Sequence, residues 1–152
     1  MLRAEPNSAF SWDFTVYEDG HAVAEIDLAW IREAGEVVIG DVACTMYRDG
    51  MLGDFILEAG GFVLVRAVKF SMFLREFEIT YDDQQFTLKA QSALARTFAL
   101  LQDDVRIGVI EPDHLFTRKM TVDLPETLPL AVRVFIVWLV IVMWKRAAQS
   151  AP

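Results

Sequence analysis

The stretch VFIVWLVIVMW, from Val134 to Trp144, runs without a single charged, hydroxyl or amide side chain. A helix that is apolar on every face must be enclosed, either by protein or by lipid. Length separates the two. A lipid-spanning helix needs about 20 mostly apolar residues to cross about 30 Å of hydrocarbon. The apolar segment from Leu130 to Trp144 reaches only about 22 Å at about 1.5 Å per residue. Arg133 also falls within its first turn. An arginine near a helix end can snorkel to the interface, so this charge weakens a lipid span without removing it. The expectation is a helix over about 128–146, buried in the protein's own core, with a C-terminal membrane anchor as the alternative. The flanks suit a helix in either solvent. Pro125 and Pro129 fit its start, Asp123 and Glu126 lie by its positive end, and Lys145 and Arg146 lie by its negative end.

Ahead of that segment the pattern is one of strands. Phe10, Trp12, Phe14 and Val16 alternate with Ser11, Asp13 and Thr15, which reads as a half-buried strand over Phe10 to Tyr17. The turn Glu18-Asp19-Gly20 follows, and alternation resumes over Val23 to Trp30, with Ala24, Ile26, Leu28 and Trp30 on one face. Further strands are expected over Val37 to Tyr47, Asp54 to Glu58 and Phe62 to Phe70, separated by Asp49-Gly50 and Gly60-Gly61. Two hairpins follow, turning at Asp82-Asp83 and Asp103-Asp104, and Arg118 to Leu124 forms the last strand. The spacing predicts a mainly β chain, an antiparallel barrel of about ten to twelve short strands over about 9–124. A barrel of that size is wider inside than side chains alone can fill, and the apolar helix is about the right length and girth to plug it. An acidic turn recurs at Tyr17-Glu18-Asp19-Gly20, Tyr47-Arg48-Asp49-Gly50 and Tyr81-Asp82-Asp83-Gln84. It reads either as a decayed repeat or as the ordinary preference of hairpin turns for Asp and Gly.

Composition bounds the rest. The chain has 152 residues, most simply one domain over 1–152, and 54% of them are hydrophobic, as a core with a wholly apolar helix requires. With 14 basic against 22 acidic residues the net charge is −8, which repels polyanions and argues against nucleic acid as a partner. The single cysteine, Cys44, has no disulfide partner and reads as a small core residue. Together with an N-terminus, MLRAEPNSAF, that lacks a signal-peptide core, this points to the cytoplasm, or to a cytoplasmic domain held at a membrane by the C-terminal helix.

At this level of architecture the chain resembles the tubby C-terminal-like superfamily, which includes tubby-like proteins, the LURP-one-related proteins of plants and bacteria, and the phospholipid scramblases. The resemblance runs from Phe10 to Arg146 and suggests a small bacterial member. It lies in the meander of short strands with Asp-rich turns, in Val105-Arg106-Ile107-Gly108-Val109-Ile110, and in the closing Leu124-Pro125, Leu128-Pro129, Phe135, Trp138 and Trp144-Lys145-Arg146. It implies a β-barrel around a hydrophobic C-terminal helix, and a binding or scaffold role rather than an enzymatic one. The family's phosphoinositide-binding and calcium-associated patterns do not map residue by residue onto this chain.

Candidate site residues are few. Arg118-Lys119 is the only adjacent basic pair outside the helix flank, a candidate contact for a protein partner or a lipid headgroup. Glu111-Pro112-Asp113-His114 offers two carboxylates to a cation, short of the six to eight oxygens calcium takes and without the spacing of a known calcium loop. His21 and His114 have no paired ligand at zinc-site spacing, and no serine sits in a nucleophile elbow. Asp82-Asp83 and Asp103-Asp104 belong at solvated turn tips, whereas catalytic carboxylates need partial burial. No catalytic residue, cofactor or metal site is expected. Ile31 and Ile56 are expected to face outward.

Overall fold

The structure, a computed structural model, describes residues 1–28, 35–39, 42–50, 53–69, 75–92 and 95–150. Alternating apolar residues build twelve strands: β1 (Leu2–Pro6), β2 (Phe14–Glu18), β3 (His21–Ile26), β4 (Gly35–Ile39), β5 (Val42–Arg48), β6 (Phe55–Ala59), β7 (Phe62–Val68), β8 (Glu76–Tyr81), β9 (Gln84–Ala90), β10 (Phe98–Gln102), β11 (Val105–Pro112) and β12 (Met120–Asp123). One helix follows, α1 (Leu130–Ser150). The strands form a single antiparallel sheet in the order β3-β2-β1-β12-β11-β10-β9-β8-β7-β6-β5-β4. Its two edge strands, β3 and β4, lie side by side without a ladder between them, so the barrel is nearly closed.

Register explains the inner wall. Leu2, Val122, Ile110, Phe98 and Ala90 stand opposite one another on successive strands, and all five are buried. Because side chains alternate at period two, one such row commits its neighbours two residues away to the same face. That face lies against α1. Every residue from Val132 to Lys145 is buried, and Trp138 packs edge-on against Phe55 of β6, with ring centroids 5.6 Å apart. No helix is long and apolar enough to cross a membrane among the described residues, and the apolar stretch lies enclosed by the sheet. Arg133, the charge inside the apolar segment, is held without lipid: its guanidinium lies 3.0 Å from the Glu18 carboxylate and its Nε donates to the Leu128 carbonyl. The Pro129 carbonyl accepts from the amides of Val132 and Arg133, which starts the helix where the proline pair places it.

Several sequence boundaries move. Leu2–Pro6 is an additional strand, completing the barrel between β2 and β12. Val37 to Tyr47 is two strands, β4 and β5, paired from Ile39↔Val42 outward. The strand expected from Phe10 begins only at Phe14, because Asn7 to Asp13 forms a loop closed by the Asn7 amide on the Asp13 carbonyl. The helix runs to Ser150 rather than 146. Cys44 is buried, as its context indicated. Ile56 is on the outer register, yet only 2% exposed, in line with Tyr47 and Arg66 on the flanking strands. Trp30, Ile31 and Phe70 lie outside the described residues.

The barrel has two unlike ends. Two-residue turns at Asp19-Gly20, Gly60-Gly61, Asp82-Asp83 and Asp103-Asp104 have positive φ at both positions, the backbone of type I′ hairpin turns. They share one end with the start of α1, marked by the Arg133–Glu18 pair and by Glu126 near the N-terminal amine. Tyr47-Arg48-Asp49-Gly50 lies at the opposite end, in a longer β5–β6 connection, so it is not a copy of the other two acidic turns. The opposite end carries the longer loops and the last turns of α1, where the Trp144 indole donates to the Arg96 carbonyl at 2.9 Å.

Candidate interaction face

The loop end is organised by arginines that stand just before strands. Arg75 precedes β8 and donates to the Ala95 carbonyl, which ties its own loop to the next. Arg96 precedes β10 and reaches the carbonyls of His114, Leu115 and Thr117. Arg118 precedes β12 and reaches those of Ser8, Ala9 and Ser11. Each guanidinium also lies over an aromatic ring: Arg75 over Phe98 at 5.2 Å, Arg96 over Trp144 at 5.0 Å and Arg118 over Trp12 at 4.9 Å. A planar five-donor fork can serve several carbonyls and a ring face at once, which a lysine cannot.

These acceptors are neutral, so the positive charge of Arg96 and Arg118 is not cancelled where they sit. Burial lowers the pKa of both groups, and no carboxylate acts in the other direction. Asp113, in the loop that Arg96 laces, is already engaged. Its side chain takes hydrogen bonds from Arg3 and Thr121, and the Arg3 guanidinium holds its carboxyl below the usual carboxylate range. Lys119, beside Arg118, is exposed.

The two loops laced by Arg96 and Arg118 present large apolar side chains to solvent. Phe10 is 95% exposed, Leu115 82% and Phe116 93%, the three most exposed large apolar residues among those described. Loop 7–13 carries the first and loop 113–119 the others, and Arg118 joins the loops. The backbone beneath the tips is fixed: the Asp113 amide bonds the Lys119 carbonyl, and the Phe116 amide bonds Nδ1 of His114. Phe62, Val63, Leu64, Val38, Val42 and Val105 are exposed as well, on strands, so the two loops hold the most exposed members of a surface that leaves several apolar side chains bare.

Of the two site residues read from sequence, the structure gives Arg118 a loop-fixing role at the base of this face and leaves Lys119 free at its edge. Phe10 was expected to face the core, and Leu115 and Phe116 carried no expectation. A signal for the arginines was available. Arg75-Glu76-Phe77, Arg96-Thr97-Phe98 and Arg118-Lys119-Met120 each place arginine two positions before the first buried residue of a strand. Glu111-Pro112-Asp113-His114 assembles no ligand set, since Glu111 lies in β11 and Asp113 pairs with Arg3. No group of three or more His, Cys, Asp or Glu side chains that could hold a metal occurs among the described residues. His21 and His114 are both exposed, at opposite ends of the barrel.

Two open clefts mark the wall. One, of about 500 Å³, is lined by Met1, Arg3, Glu5, Tyr17, Asp19 and Gly20. The other, of about 530 Å³, is lined by residues Ala22, Val23, Ala24, Glu25, Val38 and Leu130, beside the unlaced β3–β4 seam. Neither joins a nucleophile to a base. No family model, curated protein or solved structure matches the chain.

Proposed function

We propose that this protein is a non-enzymatic recognition barrel, a small cytoplasmic member of the tubby C-terminal-like type, that meets its partner with the loop end. The observation that carries the reading is the display of Phe10, Leu115 and Phe116 on two adjacent loops laced by Arg96 and Arg118. Exposed apolar side chains on a rigid base are where binding free energy is available, because little conformational entropy is lost when they are covered. Twelve strands around a C-terminal apolar helix support the likeness to the tubby type. A lone buried thiol supports a reducing compartment.

The test uses extract from the native cell. The tagged full chain is expected to migrate as part of a larger particle on gel filtration. The triple variant Phe10→Ser, Leu115→Ser, Phe116→Ser is expected to migrate as free protein with an unchanged unfolding midpoint. A triple variant that keeps the wild-type particle contradicts the assignment of this face.

A further inference from the structure

A fully closed barrel has no sheet edge, but this one keeps two. β3 and β4 run side by side, yet among the described residues no ladder joins them, so each presents a row of N–H and C=O groups to the seam. The cause is local. β3 carries an extra residue at Val23, unmatched on β2, and a bulge of this kind bends its strand. Like charges stand on both banks. Glu25 in β3, Asp27 directly after it and Glu36 in β4 are all exposed, and Glu36 repels Asp27 from the opposite bank. Beside the seam opens the cleft of about 530 Å³ lined by Ala22, Val23, Ala24, Glu25, Val38 and Leu130. All of these but Glu25 are apolar, and Val38 is 56% exposed. Neither strand holds the lysine or proline that ordinarily guards a bare edge.

We infer that the β3–β4 seam is a strand-acceptor site, which takes an extended segment of another protein with apolar side chains at alternate positions and lysine or arginine at its ends. A row of backbone donors and acceptors is matched in full only by another backbone, so the occupant is extended chain rather than a helix or a small molecule. Its alternate side chains meet the apolar cleft, to which Leu130 adds surface from the start of α1. Its terminal cations meet Glu25, Asp27 and Glu36. The same charges oppose a second copy of this chain, since any pairing of these edges with themselves sets carboxylate beside carboxylate. Admitting a strand parts β3 and β4 to about 9.6 Å, two interstrand spacings. No ladder breaks when they part, and the repulsion between Glu36 and Asp27 is relieved. The site lies on the wall, away from Phe10, Leu115 and Phe116, and does not depend on the loop end.

The test is fluorescence anisotropy of the full chain with a labelled peptide of alternating valine and threonine capped by lysines at both ends, followed by amide exchange of the complex. The expected result is saturable binding that slows exchange in residues 22–25 and 36–39 and leaves the turn at Asp82-Asp83 unchanged. Glutamates in place of the peptide's lysines, or prolines in place of its threonines, which remove alternate N–H donors, should each weaken binding at least about tenfold. Val38→Lys, at an exposed position, should do the same with an unchanged unfolding midpoint, whereas Val105→Lys, exposed on β11, should leave binding intact. A peptide that fails to bind overturns the inference, as does binding that spares β3 and β4 or survives Val38→Lys. A chain that dimerises on gel filtration, and that Val38→Lys returns to monomer, gives the seam to a second copy and overturns it too. The triple serine variant of Phe10, Leu115 and Phe116 is expected to bind the peptide like wild type; loss of binding there would move the peptide to the loop end and overturn the assignment to the seam.

Discussion

Asp82, Asp83, Asp103 and Asp104 hold φ values of 48°, 60°, 52° and 63°, a region in which any L side chain crowds its own carbonyl. Aspartate tolerates it better than most, but glycine does so at no steric cost, as at Gly20 and Gly61 in the equivalent turns. Asp83→Gly and Asp104→Gly should each raise stability by about 0.5–1 kcal/mol, read as a higher urea midpoint at constant slope. Gly20→Ala should lower it by about 1 kcal/mol.

Titration offers a second test at this scale. Charge repulsion from Asp13 and a hydrogen bond shared with it, with a smaller repulsion from Glu36, raise the pKa of Asp27. A carboxyl raised in the folded state favours folding most where it is protonated, so its contribution is lost as pH rises through that value. Asp27→Asn should therefore raise the urea midpoint at pH 7, with the gain fading on acidification. Asp113 has the opposite sign. Lowered by Arg3, it stabilises above its unfolded value and loses that contribution as pH falls through the folded one. Asp113→Asn should cost under about 1 kcal/mol at neutral pH, because the pair is partly solvated, and progressively less as pH falls through the folded value.

At the scale of elements, the arginine staples set the shape of the loop end. Arg96→Ala removes bonds to three carbonyls and the stack on Trp144, and should cost about 2 kcal/mol. Amide exchange in residues 113–119 should rise with it. Arg96→Lys keeps the charge but not the fork, so it should recover less than half of the loss. Strand positions were legible because burial on one face imposes alternation, as at Phe77 and Ile79 against Glu76, Glu78 and Thr80. The misreadings share a cause. Phe10 and Trp12 continue the alternation of Phe14 and Val16 into a loop, where the period no longer reports a face. Leu2 and Ala4 line the core from a strand too short and too mixed to register as a pattern. Arg118 was legible as a cation but not as a staple, since three carbonyls brought from more than a hundred residues away leave no local trace.

For the whole molecule, the buried helix and the charged ends answer each other. The start of α1 carries partial positive charge and sits at the end crowned by acidic turns, and its last turns sit among arginines. The apolar stretch Val134 to Trp144 announced this arrangement because only an enclosing wall could accept it. The crown of acidic turns was hidden, because its aspartates come from turns at Asp19, Asp82-Asp83 and Asp103-Asp104, far apart in sequence. Val137→Asp should leave no folded protein, since a carboxylate inside the barrel has neither solvent nor a partner; a native β-type circular dichroism spectrum would oppose that.

Amide hydrogen exchange tests the enclosure of the helix most directly. The account predicts that amides of Val134 to Trp144, buried on every face, are among the slowest to exchange in the molecule. A helix whose amides exchange as fast as those of the hairpin turns would contradict it.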